Sequence, residues 1–204
     1  MNPTRTLTAD EKLLLLQLAR RSIELTVHQH ALPLLDLSEL SEPLREYGAT
    51  FVTLTIGGEL RGCIGALEPY QPLVQDVCEH AAAAALEDYR FPPVTPDEVP
   101  LLEIEISRLT PPERFVYNSP TELLTRLRPL IDGVILRDPP RRATFLPQVW
   151  EKIPQPAVFL TQLCQKMGAP ANLWQRKPLE VYTYQVEEFR EAGPLSTGPA
   201  SIHP

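Results

Sequence analysis

The fold turns on one stretch, Phe51-Val52-Thr53-Leu54-Thr55-Ile56-Gly57-Gly58-Glu59-Leu60-Arg61-Gly62-Cys63-Ile64-Gly65. Apolar and polar residues alternate from Phe51 to Ile56, which is the period of a strand with one buried face. Gly57-Gly58 then supplies a turn into a second strand through Ile64, so the stretch reads as a β-hairpin. The loop length decides where Cys63 points, because a slip of one residue moves every side chain to the other face. A two-residue loop pairs Ile56 with Glu59 and Val52 with Cys63, and makes Cys63 a core thiol. A three-residue loop ending at Gly58 places Thr53 and Thr55 with Arg61 and Cys63. It also gathers Val52, Leu54, Leu60, Gly62 and Ile64 on an apolar face. The second partition is the cleaner one and puts Cys63 on the polar face. Free cysteine is among the most buried residue types, so an inert core thiol stays open as the alternative.

Outward from the hairpin, residues 8–30 read as a helix opened by Thr8 and Glu11 at capping-box spacing, with Leu13, Leu14, Leu16, Ala19 and Ile23 recurring at three and four. Residues 33–50, broken by Pro33, Pro43 and Gly48, form a connector with a short helix. Residues 71–87 form a second helix whose run from Ala81 to Ala85 permits close approach to its neighbour. Leu102 to Ser107 alternates as a strand. Ser119-Pro120 opens a short helix. Gly133 to Arg137 and Ala143 to Leu146 flank Pro139-Pro140 as strands, and residues 156–167 form a helix stopped by Gly168 and Pro170. Leu179 to Val186 is a further strand. Helices beside antiparallel hairpins make an α+β protein.

Composition narrows the function. The 204 residues carry a net charge of −7, which argues against nucleic acid, whose binders neutralise phosphates with Lys and Arg. No run reaches the roughly 20 apolar residues of a membrane helix. The start, Met1 to Arg5, lacks the sections of a signal peptide, so a cytoplasmic location is expected. Cys63, Cys78 and Cys164 form neither a disulfide framework nor a metal knuckle. The 23 prolines, about twice ordinary usage, mark many short, sharply bounded elements. Residues 192–204 are rich in Gly, Pro, Ser and Thr and read as a disordered tail after a single domain over residues 1–191.

The candidate chemistry centres on Cys63, a thiol between two glycines and two residues after Arg61. A guanidinium beside a thiol favours thiolate. Glu103 and Glu105 share a strand face, either as acid/base groups or as the wet side of a sheet. Asp88, Arg90 and Phe91 follow the alanine helix, either facing a cleft or closing the helix end. His28 and His30 diverge in a helix, as do Cys78 and His80, and no metal site is assigned.

Leu60-Arg61-Gly62-Cys63-Ile64-Gly65 resembles the signature of the AMMECR domain family. Asp88-Tyr89-Arg90-Phe91-Pro92-Pro93, Glu103-Ile104-Glu105-Ile106-Ser107, Phe145-Leu146-Pro147-Gln148-Val149, and Lys166-Met167-Gly168 with Trp174 resemble its later blocks in order. Met167-Gly168-Ala169 and Arg141-Arg142-Ala143-Thr144 depart from the family pattern. The resemblance implies two unequal lobes, the larger with an antiparallel β-sheet packed by helices. It also implies kinship with protein A of the AmmeMemoRadiSam system, found alongside a Memo-like protein and a radical SAM protein. It supplies no established reaction, substrate or cofactor. One reading is an enzyme or modifying factor for a small molecule, with Cys63 as nucleophile or contact thiol and Arg61, Arg90, Gln148 and Lys166 lining its cleft. The other is a non-catalytic adaptor acting with those two partners, since no histidine is placed by sequence to serve Cys63.

Overall fold

Thr8 and Glu11 exchange backbone and side-chain hydrogen bonds at 3.2 and 2.7 Å, the reciprocal capping box expected, and start α1 (Ala9–Val27). The helix stops three residues before the expected end. His30 N–H returns to the Leu25 carbonyl and Gln29 N–H to that of Thr26, with Gln29 left-handed at φ 61°. This is a Schellman closure built on glutamine, where sequence reading looks for glycine. The structure, a computed structural model, describes residues 6–191. Expectations for residues 1–5 and 192–204 lie outside them.

The chain continues through α2 (Glu42–Arg45), β1 (Tyr47–Ile56), β2 (Glu59–Gly65), β3 (Gln71–Pro72), α3 (Leu73–Leu86) and β4 (Glu103–Leu109). It then runs through β5 (Glu113–Arg114), α4 (Pro120–Arg126), β6 (Gly133–Asp138), β7 (Arg141–Phe145) and α5 (Val149–Lys152). Last come α6 (Pro156–Lys166), α7 (Leu173–Arg176), β8 (Glu180–Tyr184) and β9 (Val186–Arg190). Leu179 to Val186, read as one strand, is therefore interrupted at Gln185 and resumes as β9. The elements form an α+β protein with two antiparallel sheets, in two compact units: residues through Arg108 with those from Glu188 on, and Leu109–Glu187.

In the first unit the sheet order is β2-β1-β4-β9, with β3 paired to the start of β1. Val52, Leu54, Ile104 and Ile106 pack under α1 and α3 in one core with Leu15, Ala19, Ile23, Val77 and Ala84. In the second unit the order is β5-β8-β6-β7, and its core centres on Trp150 stacked on Phe159 at 3.6 Å between ring centroids. Ser119 caps α4 by accepting Glu122 N–H, and Gly168 at φ 72° closes α6, as their sequence positions predict.

The hairpin resolves differently from either reading. Gly57 and Gly58 have φ 58° and 83°, so the loop holds two residues with both in the left-handed region. Ile56 pairs with Glu59 and Thr55 with Leu60, but Leu54 then pairs with Gly62 and Thr53 with Cys63. Arg61 is the extra residue of a β-bulge. The three-residue loop is thus corrected to a two-residue loop plus a bulge, which together make the same one-residue shift. Cys63 lands on the polar face as expected. Gly62 faces α3, where an added Cβ would sit 2.1 Å from the Ala84 carbonyl oxygen. The alanine run and Gly62 together allow this approach.

Candidate functional site

β2 is an edge strand, and an edge strand leaves alternate backbone groups without a ladder partner. At Cys63 two side chains stand in for a strand. Asp88 Oδ2 accepts the Cys63 N–H at 2.8 Å, and Arg90 Nη2 donates to the Cys63 carbonyl at 3.3 Å. Asp88 and Arg90 are themselves joined by Nε to Oδ1 at 2.8 Å and Nη2 to Oδ2 at 2.5 Å. The Arg90 guanidinium, followed by burial acting in the opposite sense and the N–H groups of Cys63 and Arg90, sets the Asp88 carboxyl, and the net effect holds it far below the usual carboxylate range. The two alternatives for Asp88 and Arg90 therefore resolve into a clamp on the Cys63 backbone, made as the chain leaves α3.

Arg61 is fastened beside it. Its guanidinium makes a paired bridge to Glu98, Nε at 2.8 Å and Nη2 at 3.0 Å, and also donates to the carbonyls of Pro92 and Pro93. Every nitrogen of Arg61 is engaged, so its role here is to tie the bulge to the segment after α3. Arg61, followed by the Thr95 backbone N–H, lowers the Glu98 carboxyl to about 2. By contrast Arg90 Nη1 makes no hydrogen bond among the described residues, and the side chain is 44% exposed.

The Cys63 thiol is half-buried, and Thr53 donates its hydroxyl to Sγ at 3.3 Å across the ladder. Cys78 and Cys164 are buried, and burial pushes both thiols up. Glu103 and Glu105 alternate with the core residues Ile104 and Ile106, so they share the polar face with Thr53 and Cys63. However, β1 lies between β2 and β4, a lateral gap of roughly 9.5 Å, too wide for either carboxylate to take a proton from Sγ directly. Glu105 instead faces Arg190 at 3.8 Å. Glu103 lines a groove of about 620 Å³ with Lys12, Leu13, Arg20 and Phe189. Cys63 is not part of that groove, and its Arg20 is occupied by Glu191 and the carbonyls of Val99 and Leu102.

Gln148 and Lys166 belong to the second unit. Gln148 precedes α5, while Lys166 Nζ donates to the Thr144 carbonyl at 2.9 Å and lies 5.0 Å from the Phe145 ring centroid. Of the residues singled out by sequence, the structure brings Cys63 together with Arg90 and Asp88, and Arg61 with Glu98. Thr53 and Glu98 were missed. Thr53 was legible in the hairpin partition, whereas Glu98 carries no local signal. Among the described residues no three His, Cys, Asp or Glu side chains converge as a metal set would, and no helix is long and apolar enough to cross a membrane.

Comparison with known proteins places these features. The family model described as AMMECR1 matches residues 16–189. A protein of Methanothermobacter thermautotrophicus is 38% identical over 193 residues, covering 92% of this chain and 97% of that one. A protein of Thermofilum pendens is 37% identical over 203 residues, covering 92% and 93%. The crystal structure of an uncharacterized protein from Pyrococcus horikoshii superposes with a TM-score of 0.76 at 33% identity, covering 87% of this chain and 90% of that one.

Proposed function

The chain belongs to the AMMECR1 family, and we propose that within it Cys63 is the contact thiol, or nucleophile, of a small-molecule site with Arg90 beside it. The observation that carries this reading is a half-buried thiol with a hydroxyl donor on its sulfur and a backbone clamped on both sides. Such a thiol is accessible yet held in place, the arrangement a contact atom needs. The free nitrogen of Arg90 suits a ligand bearing a carboxylate or phosphate.

Per-cysteine iodoacetamide labelling of the native protein, read by peptide mass spectrometry, tests it. Cys63 labels in the folded protein, while Cys78 and Cys164 label only after denaturation. A Cys63 that stays unlabelled until denaturant is added overturns the reading.

A second reading rests on a different observation. Among the described residues the one hydrogen bond to Sγ comes from the Thr53 hydroxyl, with no imidazole, carboxylate or amine bonded to it. An adaptor has no need of such a base. On the resemblance to protein A of the AmmeMemoRadiSam system, the partners to assay are a Memo-like protein and a radical SAM protein. Binding that survives Cys63→Ala favours the adaptor, and binding lost on that change favours the thiol site.

A further inference from the structure

The sequence reads His28 and His30 as diverging around a helix, but the helix ends before it separates them. α1 stops at Val27, His28 caps it at φ −90° and ψ 15°, and Gln29 turns left-handed at φ 61°. That turn brings His30 back beside His28. The two rings stand 6.5 Å apart between centroids, with their planes 25° from parallel. His28, Gln29 and His30 are all exposed, so both imidazoles meet solvent at the same end of α1.

One of the rings is already arranged as a ligand. His28 Nδ1 lies 2.8 Å from the Glu24 carbonyl, an oxygen that can only accept, so Nδ1 carries a hydrogen. This leaves Nε2 as the nitrogen able to offer a lone pair. A backbone carbonyl behind the ring is the support that metal-ligating histidines usually have, because it fixes ring and tautomer together. The His30 side chain has no hydrogen-bond partner among the described residues, so no bond holds its ring away. Two imidazoles in cis on one metal ion, with bonds of about 2.0–2.1 Å, keep their centroids about 4.5–5 Å apart. Closing the remaining gap of about 1.5–2 Å takes only side-chain rotation at two exposed residues.

The surroundings favour a cation. α1 has no basic residue in its last turn, its C-terminal end carries partial negative charge, and the chain's net charge is −7. The Glu24 carboxylate turns to Arg21 at 3.4 Å, and among the described residues no third His, Cys, Asp or Glu joins the pair. We propose that His28 and His30 form an open, two-imidazole site for a late first-row divalent metal ion. Imidazole donors select nickel(II) and copper(II) over magnesium or manganese, and water fills the positions the protein leaves open. The inference stands independently of any role for Cys63.

The test is titration of the untagged full chain with nickel(II), an ion that does not oxidise thiols, followed by calorimetry and by NMR of the histidine rings. Nickel binds at a single site, and the ring signals of His28 and His30 broaden while those of His80, buried on α3, stay sharp. His28→Ala and His30→Ala each weaken binding by about 100-fold, the loss of the second arm of a chelate. Both positions are exposed, so core amide exchange is unaltered in either variant. His203→Ala binds nickel as the parent does. No saturable binding in the parent, or binding that either His28→Ala or His30→Ala retains at full strength, overturns the proposal.

Discussion

Cys63 and Asp88, 25 residues apart, meet as backbone donor and side-chain acceptor at 2.8 Å, so a carboxylate completes the hydrogen bonding of an edge strand. The signature strand is thereby held from its open side by the segment that leaves α3. A foreign strand that sought to pair there would have to displace a charged, buried group.

Asp88→Ala removes this acceptor and leaves Arg90 without its partner. Stability falls by about 1.5–3 kcal/mol in urea titrations, the range for hydrogen bonds to charged groups, and exchange at the Cys63 amide accelerates. The pH dependence follows from the sign of the shift. The folded carboxyl lies below its unfolded value of about 3.9. Its contribution is therefore complete above that pH and is lost as pH falls toward the folded value.

Glu98 works in the same direction over a defined window. With a folded value of about 2 against an ordinary 4.5, its stabilisation is complete above about pH 4.5 and drains between 4.5 and 2. Glu98→Gln keeps the shape, weakens the Arg61 bridge, and flattens this part of the acid limb. Melting temperatures recorded across that window, parent against variant, measure the difference.

Gly62→Ala places a methyl group 2.1 Å from the Ala84 carbonyl, and backbone on both sides must move. The expected loss is about 1–3 kcal/mol or more in chemical denaturation. Gly57→Ala meets no neighbour but strains a left-handed residue, and costs about 1 kcal/mol.

Thr53→Val retains the volume and removes the hydroxyl that points at Sγ. Iodoacetamide labelling of Cys63 changes by roughly 2- to 10-fold, the worth of the one hydrogen bond that holds Sγ in place. An unchanged labelling rate would show that Thr53 has no hold on the thiol.

In the second unit, burial pushes the Tyr184 phenol up to about 12, while its hydroxyl meets Thr144 at 3.0 Å. The raised value means stability present below the unfolded value of about 10 is lost as pH rises from 10 to 12. Tyr184→Phe is less stable at neutral pH by about 1 kcal/mol and loses less on the alkaline side, as thermal melts at rising pH will record.

What the sequence made legible was local. Thr8 with Glu11, Ser119 before Pro120, and Gly168 after α6 announce helix ends through contacts within a few residues. Gln29 ends α1 in the conformation usually given to glycine, so nothing in its identity marked the boundary. Cys63 was placed on the polar face because the two candidate partitions differed in how well they separated Thr53 and Arg61 from Val52 and Leu54. Glu98 reaches Arg61 across 37 residues, a pairing set by where α3 ends and not by any motif. Asp76 and His80, four apart on α3, meet at 3.1 Å, a pair the sequence reading did not single out, and Thr50 and Tyr70 join them only in the folded chain.

The bulge at Arg61 also decides which way the rest of its strand faces, keeping Cys63 outward and Gly62 against α3. Were Arg61 drawn into the ladder opposite Leu54, every residue of β2 beyond it would change faces, turning Cys63 inward and Gly62 away from α3. Because Arg61 stands outside the ladder, its deletion would instead leave Leu54 opposite Gly62 and Thr53 opposite Cys63. The face that Cys63 shows is thus set by which residue the ladder leaves out, and not by the number of residues in the hairpin.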